Sequence, residues 1–101
     1  MMSIFRHTVL MKFSPDATDD QVAAILDGLA SMPETMGFIR RYEFGTDLGH
    51  LDGAFDLAIV ADFDSESDYR RYAENPEHQA LIAKRILPVL EQMARVQYSV
   101  D

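Results

Sequence analysis

Residues 4–13 read IFRHTVLMKF, and their alternation decides the fold. Phe5, His7, Val9, Met11 and Phe13 fall on one side of an extended chain, and Arg6, Thr8, Leu10 and Lys12 fall on the other, because successive strand side chains point to opposite faces. The first set is the richer apolar one, which is the pattern of a half-buried strand. Ser14-Pro15-Asp16 ends it. Thr18 followed by Gln21 has the spacing of a capping box, in which each side chain satisfies a backbone N–H that the first helical turn leaves free. Val22, Ile25, Leu26, Leu29 and Met32 then recur at helical spacing, which predicts a helix up to Pro33.

Working outward, residues 38–46 form a second strand carrying Phe38, Tyr42 and Phe44. Gly45, Gly49 and Gly53 follow in a loop that lacks a Gly-Lys-Ser/Thr ending and joins strand to strand, so it is read as turn chemistry and not as a phosphate cradle. A third strand over residues 54–63 alternates Phe55, Leu57, Ile59, Ala61 and Phe63 with Asp56, Ala58, Val60 and Asp62. Ser65 caps a short helix with Tyr69, Tyr72 and Ala73, and Asn75-Pro76 starts the next as N-cap and first helical residue. Leu81, Ile82, Ile86, Val89, Leu90 and Met93 continue its apolar stripe, with Pro88 predicted to kink or end it, and Arg95–Val100 supplies the last strand.

The order βαββαβ with right-handed crossovers predicts an α+β, ferredoxin-like antiparallel sheet with both helices on one face. The opposite face, including Thr8, Leu10, Ala58 and Val60, is left bare. Four strands of six residues present on the order of 400 Å² there. An apolar area of that size marks an interface, and two such faces can cover each other in an isologous contact, so a homodimer is expected.

Composition narrows the function. A chain of 101 residues is read as one domain over residues 1–101, of a size that buries roughly 60 to 65% of its unfolded surface. The absence of cysteine removes disulfides, thiolate nucleophiles and cysteine-based metal sites, and the cytoplasm is the simplest compartment. Arg6, His7 and Lys12 interrupt the N-terminal apolar stretch, and nothing approaches the about 18 apolar residues of a membrane span. A net charge of −8 repels phosphate backbones, which argues against nucleic acid and anionic membrane as partners. Asp47, Asp52 and Asp56 do not follow a calcium-loop spacing, and no serine has a nucleophile-elbow setting.

These residues resemble the stress-responsive dimeric α/β-barrel (Dabb) domains. The resemblance rests on His7-Thr8-Val9-Leu10, Tyr42-Glu43-Phe44-Gly45, Phe55-Asp56-Leu57-Ala58-Ile59-Val60 with Asp62-Phe63, Tyr72, and Asn75-Pro76-Glu77-His78-Gln79, and it spans nearly the whole chain. It implies a homodimer in which two sheets form a dimeric α+β barrel with the helices outside. A plant branch of that family comprises polyketide cyclases that use acid-base chemistry without a cofactor. In them a tyrosine and a histidine matching Tyr72 and His78 act in a cleft between helices and sheet, with a histidine matching His7 nearby. Here Leu57, Leu29 and Asn75 replace a pocket histidine, a first-helix tyrosine and the histidine before the proline, so the cleft is less polar.

The candidate catalytic pair is therefore Tyr72 and His78, and the candidate ligand-binding residues are His7, Val9, Leu29, Tyr42, Leu57, Ile59 and Leu81. An imidazole suits acid-base work near neutrality, and a phenol can donate to a developing oxyanion. The same two residues can equally serve to pack the break between the two short helices. Three readings follow: a binder of a small apolar or aromatic metabolite, a cofactor-free cyclase-like lyase, and a non-catalytic stress-response dimer. No metal is implied by any of them.

Overall fold

A computed structural model describes residues 3–101. Strands β1 (Ile4–Phe13), β2 (Arg41–Thr46), β3 (Leu57–Phe63) and β4 (Leu90–Val100) form one antiparallel sheet in the order β2-β3-β1-β4. Helices α1 (Asp19–Thr35), α2 (Glu66–Glu74) and α3 (Pro76–Leu81) cover one face of it.

The caps are those the sequence calls for. Gln21 N–H donates to Thr18 Oγ1 at 3.1 Å while Thr18 N–H donates to Gln21 Oε1 at 2.9 Å. Ser65 Oγ accepts from Asp68 N–H at the start of α2. The alternation of β1 and β3 is obeyed: His7, Val9, Met11 and Phe13 are buried under the helices with Leu57, Ile59, Ala61 and Phe63. Ile25, Leu29 and Met32 of α1 close the core from above.

Several boundaries differ from the sequence reading. Helix α1 runs through Pro33 to Thr35. Proline removes a single donor, to the Leu29 carbonyl, and the last turn is still closed by Met36 N–H on Met32 O at 2.9 Å, with both methionines buried. Phe38 and Ile39 lie before β2 in a turn, with Ile39 N–H on Met36 O, and residues 54–56 lie before β3. The largest change is at the C-terminal end. The helix after Asn75 is α-helical only to Leu81, continues as one π turn over Ile82–Ile86, and ends in a 3₁₀ turn over Leu87–Val89 that contains Pro88. Leu90 and Met93, read above as helical, belong to β4, which starts five residues earlier than Arg95. The long β1 edge explains this: its N–H and C=O groups need partners along their full length, and the ladder runs from Phe13↔Leu90 to Ile4↔Val100 with one irregularity at Lys12/Phe13.

The other sheet face is uncovered. Leu10, Val96 and Tyr98 remain 39%, 56% and 48% exposed there. Arg6 and Asp62 face each other on it through Nε–Oδ1 and Nη2–Oδ2 contacts of 2.7 and 2.8 Å. Thr8 Oγ1, on the same face, is the one buried side-chain polar atom lacking a partner among the described residues. Among the described residues no helix is long and apolar enough to cross a membrane.

Candidate functional site

The break between α2 and α3 builds the site. Asn75 N–H bonds back to Tyr72 O, and Asn75 Oδ1 accepts from Glu77 N–H at 2.9 Å and His78 N–H at 3.4 Å, so one residue ends α2 and caps α3. This places His78 a turn above the sheet with its ring centroid 4.1 Å from that of Tyr72. Tyr69, three residues before Tyr72, meets the His7 ring from β1 at 4.8 Å.

Beneath them lies a cavity of about 170 Å³. Of the residues proposed from sequence, His7, Val9, Leu29, Ile59, Tyr72, His78 and Leu81 line it. Two do not. Tyr42 is held back by its hydroxyl, which lies 2.8 Å from that of Tyr72. Leu57 is buried opposite Met11, at the loop end of β3, and faces the core there.

Sequence reasoning missed Met11 on β1, Tyr69, Ala73 and Gln79 on the helices, Ile82 and Ile86 on the π turn, and Met93 and Arg95 on β4. Tyr69 was legible as the residue one turn before Tyr72. Arg95 and Gln97 were not singled out because the visible alternation in β4 is the apolar one, Val96, Tyr98 and Val100, and this set belongs to the opposite, bare face. Pairing of Val9 with Arg95 and of His7 with Gln97 puts the polar set on the cavity side.

The electrostatics make both imidazoles neutral at neutral pH. Burial pushes His7 down to about 4, with the nearby Arg95 charge, and His78 whenever it is protonated, adding to the effect. Burial also lowers His78, opposed in part by the Ala73 carbonyl. Tyr42 is pushed up to about 12 by burial, and Tyr72 is raised by burial and by its proximity to Tyr42, so both phenols stay protonated.

Hydrogen bonding assigns the tautomers. The Gln97 amide nitrogen can only donate, and it lies 3.0 Å from His7 Nδ1, so that His7 carries its proton on Nε2. The Ala73 carbonyl can only accept, and its 3.4 Å contact with His78 Nδ1 leaves the His78 Nε2 lone pair free. The Nε2 atoms have no partner among the described residues. The site thus combines an apolar body with one imidazole donor, one imidazole acceptor and a phenol. No cluster of His, Cys, Asp or Glu that could hold a metal ion exists among the described residues.

A four-stranded antiparallel sheet in this order, roofed on one face by helices, defines a ferredoxin-like α+β protein. The sequence matches the stress responsive A/B barrel domain over residues 5–100, and the chain belongs to that family, Dabb. Similar solved structures include a dimeric ferredoxin-like protein of unknown function from Thermobifida fusca YX, 34% identical with a TM-score of 0.90 over 99% of this chain and 93% of that one. A second dimeric protein of unknown function, from Bacteroides fragilis NCTC 9343, is 25% identical with a TM-score of 0.80 over 94% of each chain. A hydroxynitrile lyase from Passiflora edulis shares the fold, with 22% identity and a TM-score of 0.83 over 97% of this chain and 94% of that one. No curated protein sequence matches this chain.

Proposed function

We propose that the chain is a homodimer that binds a small, largely apolar molecule between the helices and the sheet, with one polar group of the ligand held by His7 and His78. The observation that carries this reading is the convergence of His7, Tyr72 and His78 on a cavity of about 170 Å³ with otherwise mostly apolar walls. A cavity of about 150 Å³ takes up benzene, so the space suits a single ring or its aliphatic equivalent. The donor on His7 and the acceptor on His78 together complement a hydroxyl substituent, and the donor on His7 alone serves a carbonyl. The dimer is supported by the bare sheet face and by the dimeric neighbours, and a cysteine-free chain fits the reducing cytoplasm.

The test is titration with benzyl alcohol and acetophenone, followed by amide NMR. Binding should shift resonances at His7, Tyr72 and His78, and Ala73→Leu, which fills the cavity from α2, should abolish it while the fold is retained. Saturating shifts confined to other surfaces would overturn this reading, and no binding by either probe would count against a neutral ligand.

A second reading uses the same cavity for cofactor-free proton transfer, with the His78 Nε2 lone pair as base and the Tyr72 hydroxyl as acid. Its support is the 4.1 Å approach of the two rings, together with a shared fold that also serves a lyase. It requires that His78→Ala and Tyr72→Phe each abolish turnover of a substrate that the wild-type protein converts. Unchanged turnover in either variant rules it out.

A further inference from the structure

We propose that the ligand of this cavity is a monocarboxylate, its anionic group seated on Arg95 and its apolar body directed toward Leu29 and Ile59. The proposal rests on the ligand-binding reading above and names the chemical class of the ligand.

The arginines of this acidic chain are nearly all engaged. Arg6, Arg40, Arg41, Arg70 and Arg71 each have a carboxylate partner, and Arg85 donates to the Ala24 carbonyl at 2.6 Å. Arg95 alone among them has neither an ion pair nor a hydrogen bond through its guanidinium among the described residues. With seventeen acidic residues against nine basic ones, carboxylates are abundant partners, and Arg95 pairs with none among the described residues. Its place is the wall of the cavity, two residues from Gln97 on the same side of β4.

Two donors, the Arg95 guanidinium and His7 Nε2–H, come from the sheet side of the cavity, while the acceptor on His78 comes from α3. Gln97 sets His7 in the tautomer that points a donor, Nε2–H, away from the Gln97 contact. The depressed pKa of His7 has Arg95 as one of its causes, so the two groups feel each other's field. A carboxylate can accept from the guanidinium fork and from the imidazole donor together. Among the described residues no acidic side chain lines the cavity to compete with it. The walls beyond are Val9, Leu29, Ile59 and Leu81, which have nothing to offer a second charge.

The experiment is calorimetric titration of the full chain with benzoate, with benzyl alcohol of similar size, and with inorganic phosphate, repeated on Arg95→Gln. Charge-assisted bonds favour benzoate over benzyl alcohol by about tenfold or more in wild-type protein. In Arg95→Gln the ratio of benzoate to benzyl alcohol affinity should fall to about one, whatever the change in either affinity alone. Arg95 is exposed and its side chain makes no hydrogen bond or ion pair among the described residues, so the variant should keep the wild-type melting temperature, which is measured alongside. Benzyl alcohol binding as tightly as benzoate, or a preference that survives Arg95→Gln, would overturn the carboxylate assignment and leave the ligand-binding reading standing. Phosphate binding more tightly than benzoate would overturn it in favour of a simple anion site. Failure of every probe would overturn both.

Discussion

The hydroxyls of Tyr42 and Tyr72 lie 2.8 Å apart and tie the edge strand β2 to helix α2 across thirty residues of sequence. Tyr72 is 3% exposed, so its hydroxyl depends on this partner. Tyr42→Phe should therefore destabilise the fold by about 1–3 kcal/mol, the usual penalty for a buried polar group left unpaired. Tyr42→Phe with Tyr72→Phe together should destabilise by less than the sum of the two single changes. Urea denaturation of the four proteins measures the coupling, and strict additivity would show that the contact contributes nothing.

Acid should weaken the protein through His7. Its folded pKa, about 4, lies below the ordinary value of 6.5, so between these values the unfolded chain binds the extra proton and the folded chain does not. Stability is thus complete above about pH 6.5 and falls as the pH drops toward 4, with His78 contributing in the same direction. Denaturation midpoints of wild type and His7→Gln across this window should converge as pH falls. Parallel curves would mean that His7 titrates normally in the folded state.

Gly28 of α1 lies against Leu81 at the end of α3. A methyl group built there would stand 2.5 Å from Leu81 Cδ1 and 3.3 Å from Arg85 Nη1. Leu81 can yield only by moving within the cavity wall. Overpacking of this kind costs about 1–3 kcal/mol, partly offset by the about 1 kcal/mol that alanine gains over glycine in a helix. Gly28→Ala should lower stability slightly and weaken benzyl alcohol binding more than it lowers stability. Tighter binding would show that Leu81 does not narrow the cavity.

The bare sheet face should be the dimer contact. Val96 and Leu10 project from β4 and β1 on that face, and a charge at their centre cannot be paired by a symmetry-related copy of itself. Val96→Asp should convert a dimer of 11.4 kDa chains into monomer in sedimentation velocity, with helix content retained. A variant that sediments like the wild type would move the interface elsewhere.

Much of this was legible in the sequence because it is local. The alternation of Phe5 to Phe13 and of Leu57 to Phe63, the Thr18–Gln21 box, and the Ser65 and Asn75 caps all follow from how side chains project and which backbone groups a helix end leaves free. The site was legible as far as it lay on those elements: His7, Tyr72 and His78 were each on a strand face or at a helix break that the sequence announces. Arg95 and Gln97 were hidden behind the apolar alternation of Val96, Tyr98 and Val100, and Leu57 looked equivalent to Ile59 because both lie on the same face.

By itself the sequence determined the element order, the inward and outward sides of β1 and β3, and the caps, since each depends on neighbours within a turn or a strand repeat. Only the tertiary structure decided where the last strand begins, which of two equivalent strand residues reaches the cavity, and which nitrogen of His7 carries the proton. Those outcomes depend on pairings between segments far apart in the chain: the demand of β1 for backbone partners draws Leu90–Ala94 into β4, and the register of that ladder sets Gln97 against His7 and Arg95 beside the cavity.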